Sequence, residues 1–280
     1  MPLAEPLADP EAVAGVITAA ERAIRDPSLG ADEVAGWGRS QQRAYQTLTR
    51  HPDWDGAVRA LLPADVLAGF DHIVAARRAV ADHAARRAAE RPADAPPPQP
   101  VRTLPVWTIV EPLPADELLA LYRDAEAQTG VPWAYLAAIN LVETRMGRIA
   151  GVSSAGAIGP MQFLPSTWDE CCLGDPLDPA DAILGAAIYL VDRGAPADML
   201  GALYGYNPNE GYVGAVDAYA QLMLSDERAF AGFHAWEVYV GTEAGTIRLP
   251  VGYRAAAPIS ATGYALAFPG DVAPLAPERP

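Results

Sequence analysis

The carboxylate of Glu143 closes an apolar run, and a carboxyl in such a setting is suited to acid catalysis. The run 133–143 reads WAYLAAINLVE, and Glu143 follows Leu136, Ile139 and Asn140 by seven, four and three residues. These spacings place all four residues on one helical face. An apolar setting raises the pKa of a carboxyl and keeps it protonated. The apolar side chains available to build that setting are Leu136, Ile139, Val142 and Met146.

Three later segments offer groups that bind sugars. Residues 147–159, GRIAGVSSAGAIG, are small and glycine-rich, so we expect a loop that approaches a ligand without side-chain obstruction. Residues 159–165, GPMQFLP, supply an amide and an aromatic ring, and residues 204–209, YGYNPN, supply a second polar and aromatic cluster. Hydrogen-bonding groups beside rings are the usual means of holding a polar ligand.

In this order, the segments resemble the SLT-type lytic transglycosylases of the lysozyme-like superfamily. Residues 142–147, VETRMG, are similar to that family's helix-ending catalytic Glu motif, and residues 153–168 to its segment of small residues, Gly, Met-Gln, Pro and Thr. Residues 181–190 resemble the following helix, and residues 204–209 the Tyr-Asn motif. The resemblance covers about residues 115–223 and looks closest to actinobacterial secreted members and to the membrane-bound lytic transglycosylase B branch.

The resemblance implies a reaction on peptidoglycan without water. Glu143 would protonate the glycosidic oxygen between MurNAc and GlcNAc, and would then deprotonate the MurNAc 6-hydroxyl that attacks the anomeric carbon. The product is a 1,6-anhydro end. Glycosidases usually use two carboxylates, but the substrate's own N-acetyl group can replace the second. The stretch 147–167 contains no Asp or Glu, which agrees with a single catalytic carboxyl.

The resemblance also implies substrate-binding residues. Gln162, with the backbone on either side of it, would hold an acetamide or a hydroxyl. Tyr206 and Asn207 would orient the sugar at the cleaved bond. Tyr189 and Phe163 fit the core of the fold as well as a ligand contact, because buried aromatic residues are common. The full set implied for substrate binding is Ser154, Met161, Gln162, Phe163, Tyr189, Tyr206 and Asn207.

No metal or other cofactor is expected. Some relatives carry a calcium loop after the QF segment, but residues 174–181 lack the twelve-residue ligand spacing and the closing Glu of such a loop. We expect Asp181 instead to cap the helix that contains Tyr189. Cys171 and Cys172 are adjacent, and a disulfide between neighbours is strained. Two small buried side chains are therefore the preferred interpretation.

The charge and hydropathy of the chain exclude several function classes. A formal net charge of −15 disfavours binding to nucleic acid or to an anionic membrane. No segment is long and apolar enough for a transmembrane span. The first ten residues, MPLAEPLADP, show no secretory signal, which fits either a cytosolic protein or one whose signal or anchor is absent from this chain. The expected location, the cell envelope or outside the cell, therefore follows from the substrate alone, and protein partners remain unknown.

The fold class predicted is all-α, with a lysozyme-like catalytic domain of the goose-type or SLT kind. We expect an N-terminal helical segment at 1–90, a proline-rich linker at 91–109, the transglycosylase domain at 110–236, and a C-terminal tail at 237–280. The tail contains a β-hairpin pattern and becomes loose from about Ala265. Predicted helices of the third segment lie near 114–130, 132–146, 161–170, 179–193, 196–204 and 208–223.

Two other functions fit the same residues. A lysozyme-like muramidase would use the same Glu with water as the attacking group, and would need a further Asp placed for that water. A non-catalytic peptidoglycan-binding module is a rival of another class. It has no use for a buried acid at position 143, so an intact Glu143 argues against it.

Overall fold

The computed structural model describes residues 7–92, 94–95 and 99–273. This part of the chain contains twelve α-helices and seven short strands. The helices are α1 Pro10–Arg25, α2 Ala31–Arg50, α3 Asp55–Leu61, α4 Leu67–Ala89, α5 Ala115–Thr129, α6 Trp133–Thr144, α7 Pro165–Cys171, α8 Pro179–Val191, α9 Met199–Tyr206, α10 Glu210–Ser225, α11 Ala229–His234 and α12 Ala261–Ala267. The strands are β1 Thr103–Leu104, β2 Thr108–Ile109, β3 Ile149–Ala150, β4 Val238–Thr242, β5 Gly245–Leu249, β6 Ile259–Ser260 and β7 Val272–Ala273.

Capping residues and helix-breaking residues set the ends of the N-terminal helices. Asp9 caps α1 by accepting a 2.8 Å hydrogen bond from the Ala12 amide. Pro10 occupies the first turn of the helix, where a backbone N–H would have no intrahelical acceptor, so the missing N–H of proline costs no hydrogen bond. The chain breaks between α1 and α2 around Pro27 to Gly30. The short helix α3 was not predicted.

Helix α4 packs against α10 at unusually short range. A Cβ built on Gly214 of α10 would lie 2.8 Å from the Cβ of Ala79, and one built on Gly211 would lie 2.7 Å from the Cβ of His83. Only glycine permits this approach. Buried residues of α1 to α4 consequently share one hydrophobic core with α5 to α11. The domain boundaries at 90 and 110 stay a prediction.

Helix α6 is the central element of that core. Every residue from Trp133 to Leu141 is buried, as its nearly unbroken apolar sequence predicts. Gly130, in the left-handed conformation at φ 77°, ends α5 and lets the chain turn into α6. Pro132 occupies the N-cap position of α6, one residue before the position predicted from sequence.

The C-terminal region builds a second, smaller core. Strands β4 and β5 form the predicted antiparallel hairpin, and β7 adds to β5. Buried Leu104, Ile247, Leu249 and Tyr264 belong to this core. At the end of the predicted linker, the extended residues Thr103 and Leu104 form β1 and pair with β6. One expectation is corrected, because part of the predicted loose tail is ordered: residues 261–267 form α12, and β7 pairs with β5. Residues 93, 96–98 and 274–280 lie outside the described residues.

Two local predictions were wrong. The expected helix at 161–170 starts only at Pro165, because the residues before it form a turn. Asp178, not Asp181, caps α8 by accepting from the Ala180 and Asp181 amides. The Asp181 carboxylate instead accepts from the Asp175 amide at 2.8 Å and closes the preceding loop.

The two cysteines also differ from the expectation. Cys171 and Cys172 are joined by a disulfide at the end of α7. Both side chains are partly buried, and the Cys172 sulfur lies 3.7 Å from the Gly185 carbonyl of α8. A bridge between adjacent residues closes a very short loop, so it links no distant parts of the chain.

Candidate active site

Glu143 lies in the last turn of α6, half-buried at the surface of the main core. The same helix buries Leu136 and Ile139 completely. Removal from water disfavours the charged carboxylate, and this burial raises the pKa of Glu143 to about 7. The group can therefore hold a proton near neutral pH and also lose it there, as an acid that later acts as a base must do.

Tyr212 of α10 faces Glu143. Its hydroxyl is buried and has no hydrogen-bond partner of good geometry among the described residues. Burial raises the pKa of Tyr212 well above its ordinary value, and the neighbouring Glu143 carboxyl raises it further. The tyrosine in turn lowers the pKa of Glu143, opposing the larger effect of burial. Tyr212 is thus a neutral donor placed against the candidate acid.

Two polar side chains of α6 tie the helix end to a tight turn. The Asn140 amide donates to the Pro160 carbonyl at 2.8 Å, and the Thr144 hydroxyl donates to the same carbonyl at 2.6 Å. Tyr122 of α5 donates to the Asn140 side-chain oxygen at 2.6 Å. Asn140, Thr144 and Tyr122 are all buried and all partnered, so they hold Glu143 at a defined distance from the turn.

The chain leaves α6 through three residues in the left-handed region. Arg145, Met146 and Gly147 have φ values of 55°, 61° and 84°. Two consecutive non-glycine residues in this region are uncommon and costly. The Arg145 and Met146 amides bond to the Leu141 and Asn140 carbonyls, which stabilises the reversal. The loop that follows therefore starts directly beside Glu143.

The turn at 158–163 presents Gln162. Ile158 and Phe163 pair through both backbone hydrogen bonds, at 2.8 and 2.9 Å. Gln162 has φ 53°, and its side-chain nitrogen donates to the Gly159 carbonyl at 2.9 Å. This fixes the amide plane and leaves the amide oxygen without a partner among the described residues. Gln162 is consequently an acceptor held in place, and it fits the predicted role.

Tyr206 of α9 forms a hydrogen bond to the same turn. Its hydroxyl donates to the Met161 carbonyl at 2.6 Å. Its ring lies 5.8 Å from that of Phe163 and 5.6 Å from that of Tyr189, edge to face in both cases, and stacks parallel to Tyr212 at 6.4 Å. The structure therefore brings the predicted aromatic residues into one cluster that reaches Tyr212 and Glu143.

Several predicted binding groups are already used inside the protein. Met161 and Phe163 are 0% and 3% exposed, and their carbonyls accept from Tyr206 and Ile158. The expectation that this backbone holds a sugar is corrected for these carbonyls and for the Phe163 amide, which bonds to Ile158. One face of the Tyr189 ring is covered by the Arg193 guanidinium at 3.2 Å.

Ser154 and Asn207 have accessible side chains. Ser154 is exposed at the tip of the glycine-rich loop, next to Ser153, whose hydroxyl accepts from the Ala155 and Ala157 amides. Asn207 follows α9 and is partly exposed between Tyr206 and the Asn209 cap of α10. Both remain predicted substrate contacts.

Comparison with known proteins agrees with this geometry. Residues 120–223, which span α6 to α10, match the family model described as "Transglycosylase SLT domain". The chain contains a Transglycosylase SLT domain. It is also 30% identical over 118 residues to the membrane-bound lytic murein transglycosylase F of Thiobacillus denitrificans, a match that covers 39% of this chain. The chain spans only 25% of the length of that relative. No solved structure matches the chain.

The SLT domain confirms the family resemblance and the predicted fold class. It is lysozyme-like and mostly helical, and the structure is helical throughout residues 120–223 apart from β3 and the loops. Glu143, Gln162, Tyr206 and Asn207 all lie within it. Helices α1 to α4 precede it in the chain, and α4 packs against α10.

Sequence reasoning missed three residues of the SLT domain site. Asn140 and Thr144 are polar residues four apart on an otherwise apolar helix, and buried polar groups require partners. That pattern could have identified Asn140 and Thr144 from the sequence as a buried, hydrogen-bonded pair. Tyr212 carries no such signal, since a tyrosine near the start of a helix is unremarkable until α6 and α10 are packed together.

The described residues contain no helix that is long and apolar enough to cross a membrane. Within the same residues there is no group of three or more His, Cys, Asp or Glu side chains placed to hold a metal ion.

Proposed function

We propose that this protein is a peptidoglycan lytic transglycosylase with Glu143 as its general acid and base. The observation that carries the proposal is the half-buried Glu143 carboxyl, with its pKa raised to about 7, at the helix end of an SLT domain. A carboxyl in this state gives up a proton to a leaving oxygen at neutral pH. The catalytic Glu of lysozyme, whose pKa is also raised, acts in the same way.

The proposed reaction cleaves the β-1,4 bond between MurNAc and GlcNAc without water. The proton of Glu143 moves to the glycosidic oxygen, and the bond from that oxygen to the MurNAc anomeric carbon breaks. The N-acetyl oxygen of the same sugar stabilises the anomeric carbon. Glu143 then removes the proton of the 6-hydroxyl, whose oxygen forms the 1,6-anhydro bond and releases the N-acetyl group.

A single carboxyl suffices for these steps. The chain from Thr144 to Trp168 contains no Asp or Glu, and Asp169 and Glu170 are exposed on α7. Hydrolysis by the common two-carboxylate route requires a second carboxyl across the bond. The loop and turn beside Glu143 do not supply one, which supports assistance by the substrate.

The residues around Glu143 are proposed to hold the sugar. The free oxygen of Gln162 accepts from an acetamide N–H or a hydroxyl, and Asn207 orients the acetamide. Ser154 contacts the strand from the loop. Tyr206 acts through the turn that it supports, and Tyr212 keeps the Glu143 carboxyl in position. The site of action is the cell envelope, where peptidoglycan lies.

Product analysis tests the proposal directly. Purified sacculi are incubated with the wild type, with Glu143→Gln, and with the matched control Glu170→Gln, which alters an exposed acid on α7. Mass spectrometry then identifies the released muropeptides. We expect anhydro-muropeptides from the wild type and from Glu170→Gln, and none from Glu143→Gln.

Other outcomes identify the rival functions. Reducing-end muropeptides that depend on Glu143 would make the protein a muramidase. Binding to sacculi without any product from the wild type would make it a binding module. Anhydro products from Glu143→Gln would show that another group is the acid.

A further inference from the structure

The second, smaller core carries a cavity of about 540 Å³ outside the SLT domain. One wall includes Val251 and Arg254, which follow β5, and the other wall is formed by α12 and the residues after it. Ligand pockets usually measure about 300–1,000 Å³ and combine apolar walls with a few polar groups. This cavity fits that description, and the proposed reaction at Glu143 gives it no role.

Phe268 places an aromatic ring at this cavity. It directly follows α12 and is 52% exposed. Its ring centroid lies 4.6 Å from that of buried Tyr264, whose hydroxyl donates to the Asp271 carboxylate at 3.4 Å. The buried tyrosine therefore supports the phenylalanine from the protein side, and about half of Phe268 stays open to a ligand. An exposed aromatic ring beside a cavity is a common element of a binding site.

Arg254 supplies a positive charge to the same cavity. Its side chain lines the cavity and is exposed, and among the described residues no ion pair or side-chain hydrogen bond includes it. The carboxylate of Asp271 also lines the cavity, but it accepts from the Arg248 Nε at 2.9 Å. The Arg254 guanidinium therefore keeps its charge and its N–H groups for a ligand. A planar guanidinium matches a carboxylate in two-point contact.

Backbone pairing joins Arg254 to the glycine-rich loop beside Glu143. Thr108 of β2 pairs with Ala150 of β3 and also forms an antiparallel bridge to Arg254. Residues directly opposite each other in a sheet point to the same face, so the side chains of Arg254 and Ala150 share one face. Two strand spacings separate them by about 10 Å. Both residues are exposed, so this face connects the cavity to the loop that carries Ser154.

We propose that this cavity is a second binding site for the peptidoglycan strand that Glu143 is proposed to cleave. The identity of the ligand rests on the proposed function. The apolar face of one sugar ring packs on Phe268, and Arg254 binds a carboxylate on the lactyl-peptide arm of MurNAc. A glycan strand repeats both groups along its length, so one strand can contact the loop and the cavity together. The contact at the cavity then raises the effective concentration of the strand at the first site.

Binding measurements on a non-cleaving background test the second site. Calorimetry gives dissociation constants for Glu143→Gln alone and combined with Phe268→Ala or with Arg254→Gln. One matched control is Leu266→Ala, which removes an 80% exposed apolar side chain of α12 that does not line the cavity. The other is Arg87→Gln, which removes the same charge as Arg254→Gln from an exposed position on α4. The ligands are soluble glycan strands with peptide stems, the same strands stripped by an amidase, and the N-acetylglucosamine pentamer, which has no carboxylate.

We expect Phe268→Ala to weaken binding of both kinds of strand about fivefold to tenfold. Arg254→Gln should weaken binding of carboxylate-bearing strands by a similar factor, and binding of the pentamer by less than about twofold. A loss on stem-bearing strands assigns the bound carboxylate to the peptide. A loss on stripped strands alone assigns it to the lactyl group, whose carboxylate the amidase frees. Either result supports the site, and both controls should stay within about twofold.

Other results would overturn the second site. No loss for either cavity variant would do so, as would an equal loss for Leu266→Ala. An equal loss of Arg254→Gln on the pentamer would overturn the carboxylate contact. Analytical ultracentrifugation tests the remaining occupant: if Phe268→Ala converts a wild-type dimer to a monomer and leaves strand binding unchanged, the cavity binds a second copy of the chain instead.

Two further measurements keep the outcomes separate. Phe268 and Arg254 are both exposed, and circular dichroism checks that each variant folds. Product formation from sacculi distinguishes the two proposals. A wild type without product, whose strand binding still depends on Phe268, overturns only the proposed function. An active wild type with unaffected cavity variants overturns only the second site.

Discussion

The Thr144 hydroxyl donates a 2.6 Å hydrogen bond to the Pro160 carbonyl, and this contact joins the end of α6 to the turn that carries Gln162. The Asn140 amide donates to the same carbonyl at 2.8 Å. One carbonyl oxygen thus accepts from two side chains one helical turn apart. Because Glu143 precedes Thr144, the separation of the candidate acid from the turn depends on this oxygen.

Replacing Thr144 with Val should lower both stability and activity. The substitution keeps the shape of the side chain but removes its hydroxyl. The Pro160 carbonyl then accepts only from Asn140, and the Gly147 amide loses the hydroxyl to which it donates at 3.1 Å. A lost buried hydrogen bond of this kind costs about 1–3 kcal/mol in unfolding free energy. Urea unfolding and product release from sacculi measure the two effects. Thr144→Ser restores the hydroxyl and should recover most of both. Full activity in Thr144→Val would show that the contact does not position Glu143.

Removing the Tyr206 hydroxyl should impair activity more than a comparable change elsewhere. Tyr206→Phe deletes the 2.6 Å bond to Met161 in the turn, and Tyr253→Phe deletes a 2.9 Å bond to Pro105 in the second core. Each should cost about 1 kcal/mol of stability. Only Tyr206→Phe should slow product formation, because only it loosens the turn beside Glu143. Equal rates for the two variants would contradict a positioning role for Tyr206.

The rate should fall as the pH rises past neutrality. With the pKa of Glu143 raised to about 7, the protonated form that donates to the glycosidic oxygen is lost above that pH. The rate constant kcat/KM should then drop about tenfold for each further pH unit. Tyr212 lowers the pKa of Glu143, so Tyr212→Phe should move this alkaline limb to higher pH while reducing the maximal rate. A limb that stays in place would mean that Tyr212 does not act on Glu143.

A methyl group at Gly214 should separate α4 from α10. The new Cβ would lie 2.8 Å from that of Ala79, closer than two carbon atoms can pack. We expect Gly214→Ala to destabilise the protein by about 1–3 kcal/mol despite the better helix propensity of alanine. Gly15→Ala is the matched control, since no atom lies within 4 Å of its added Cβ. It should instead stabilise the protein by about 0.5–1 kcal/mol. Denaturant unfolding compares the pair, and equal effects would argue against tight packing of α4.

The sequence by itself determined the family, the class of fold and the candidate acid. The motif around Glu143, the Met-Gln turn and the Tyr-Asn pair are local in the chain, and their order alone points to an SLT domain, as the family match over 120–223 confirms. Some helix ends were predictable for a similar reason. Asp9 and Gly130 act on backbone groups within a few residues of themselves. Their effects can therefore be inferred from the residues next to them in the sequence.

Tertiary structure decided the roles that depend on residues distant in the chain. Tyr212 faces Glu143 only because α10 packs on α6, and α4 lies close to α10 only because glycines stand where the two helices meet. Met161 and Phe163 lie in the motif predicted to bind substrate. In the structure, however, their carbonyls accept hydrogen bonds from Tyr206 and Ile158. A side chain's surroundings set its pKa and its free hydrogen-bonding groups, and those surroundings exist only after the helices have packed.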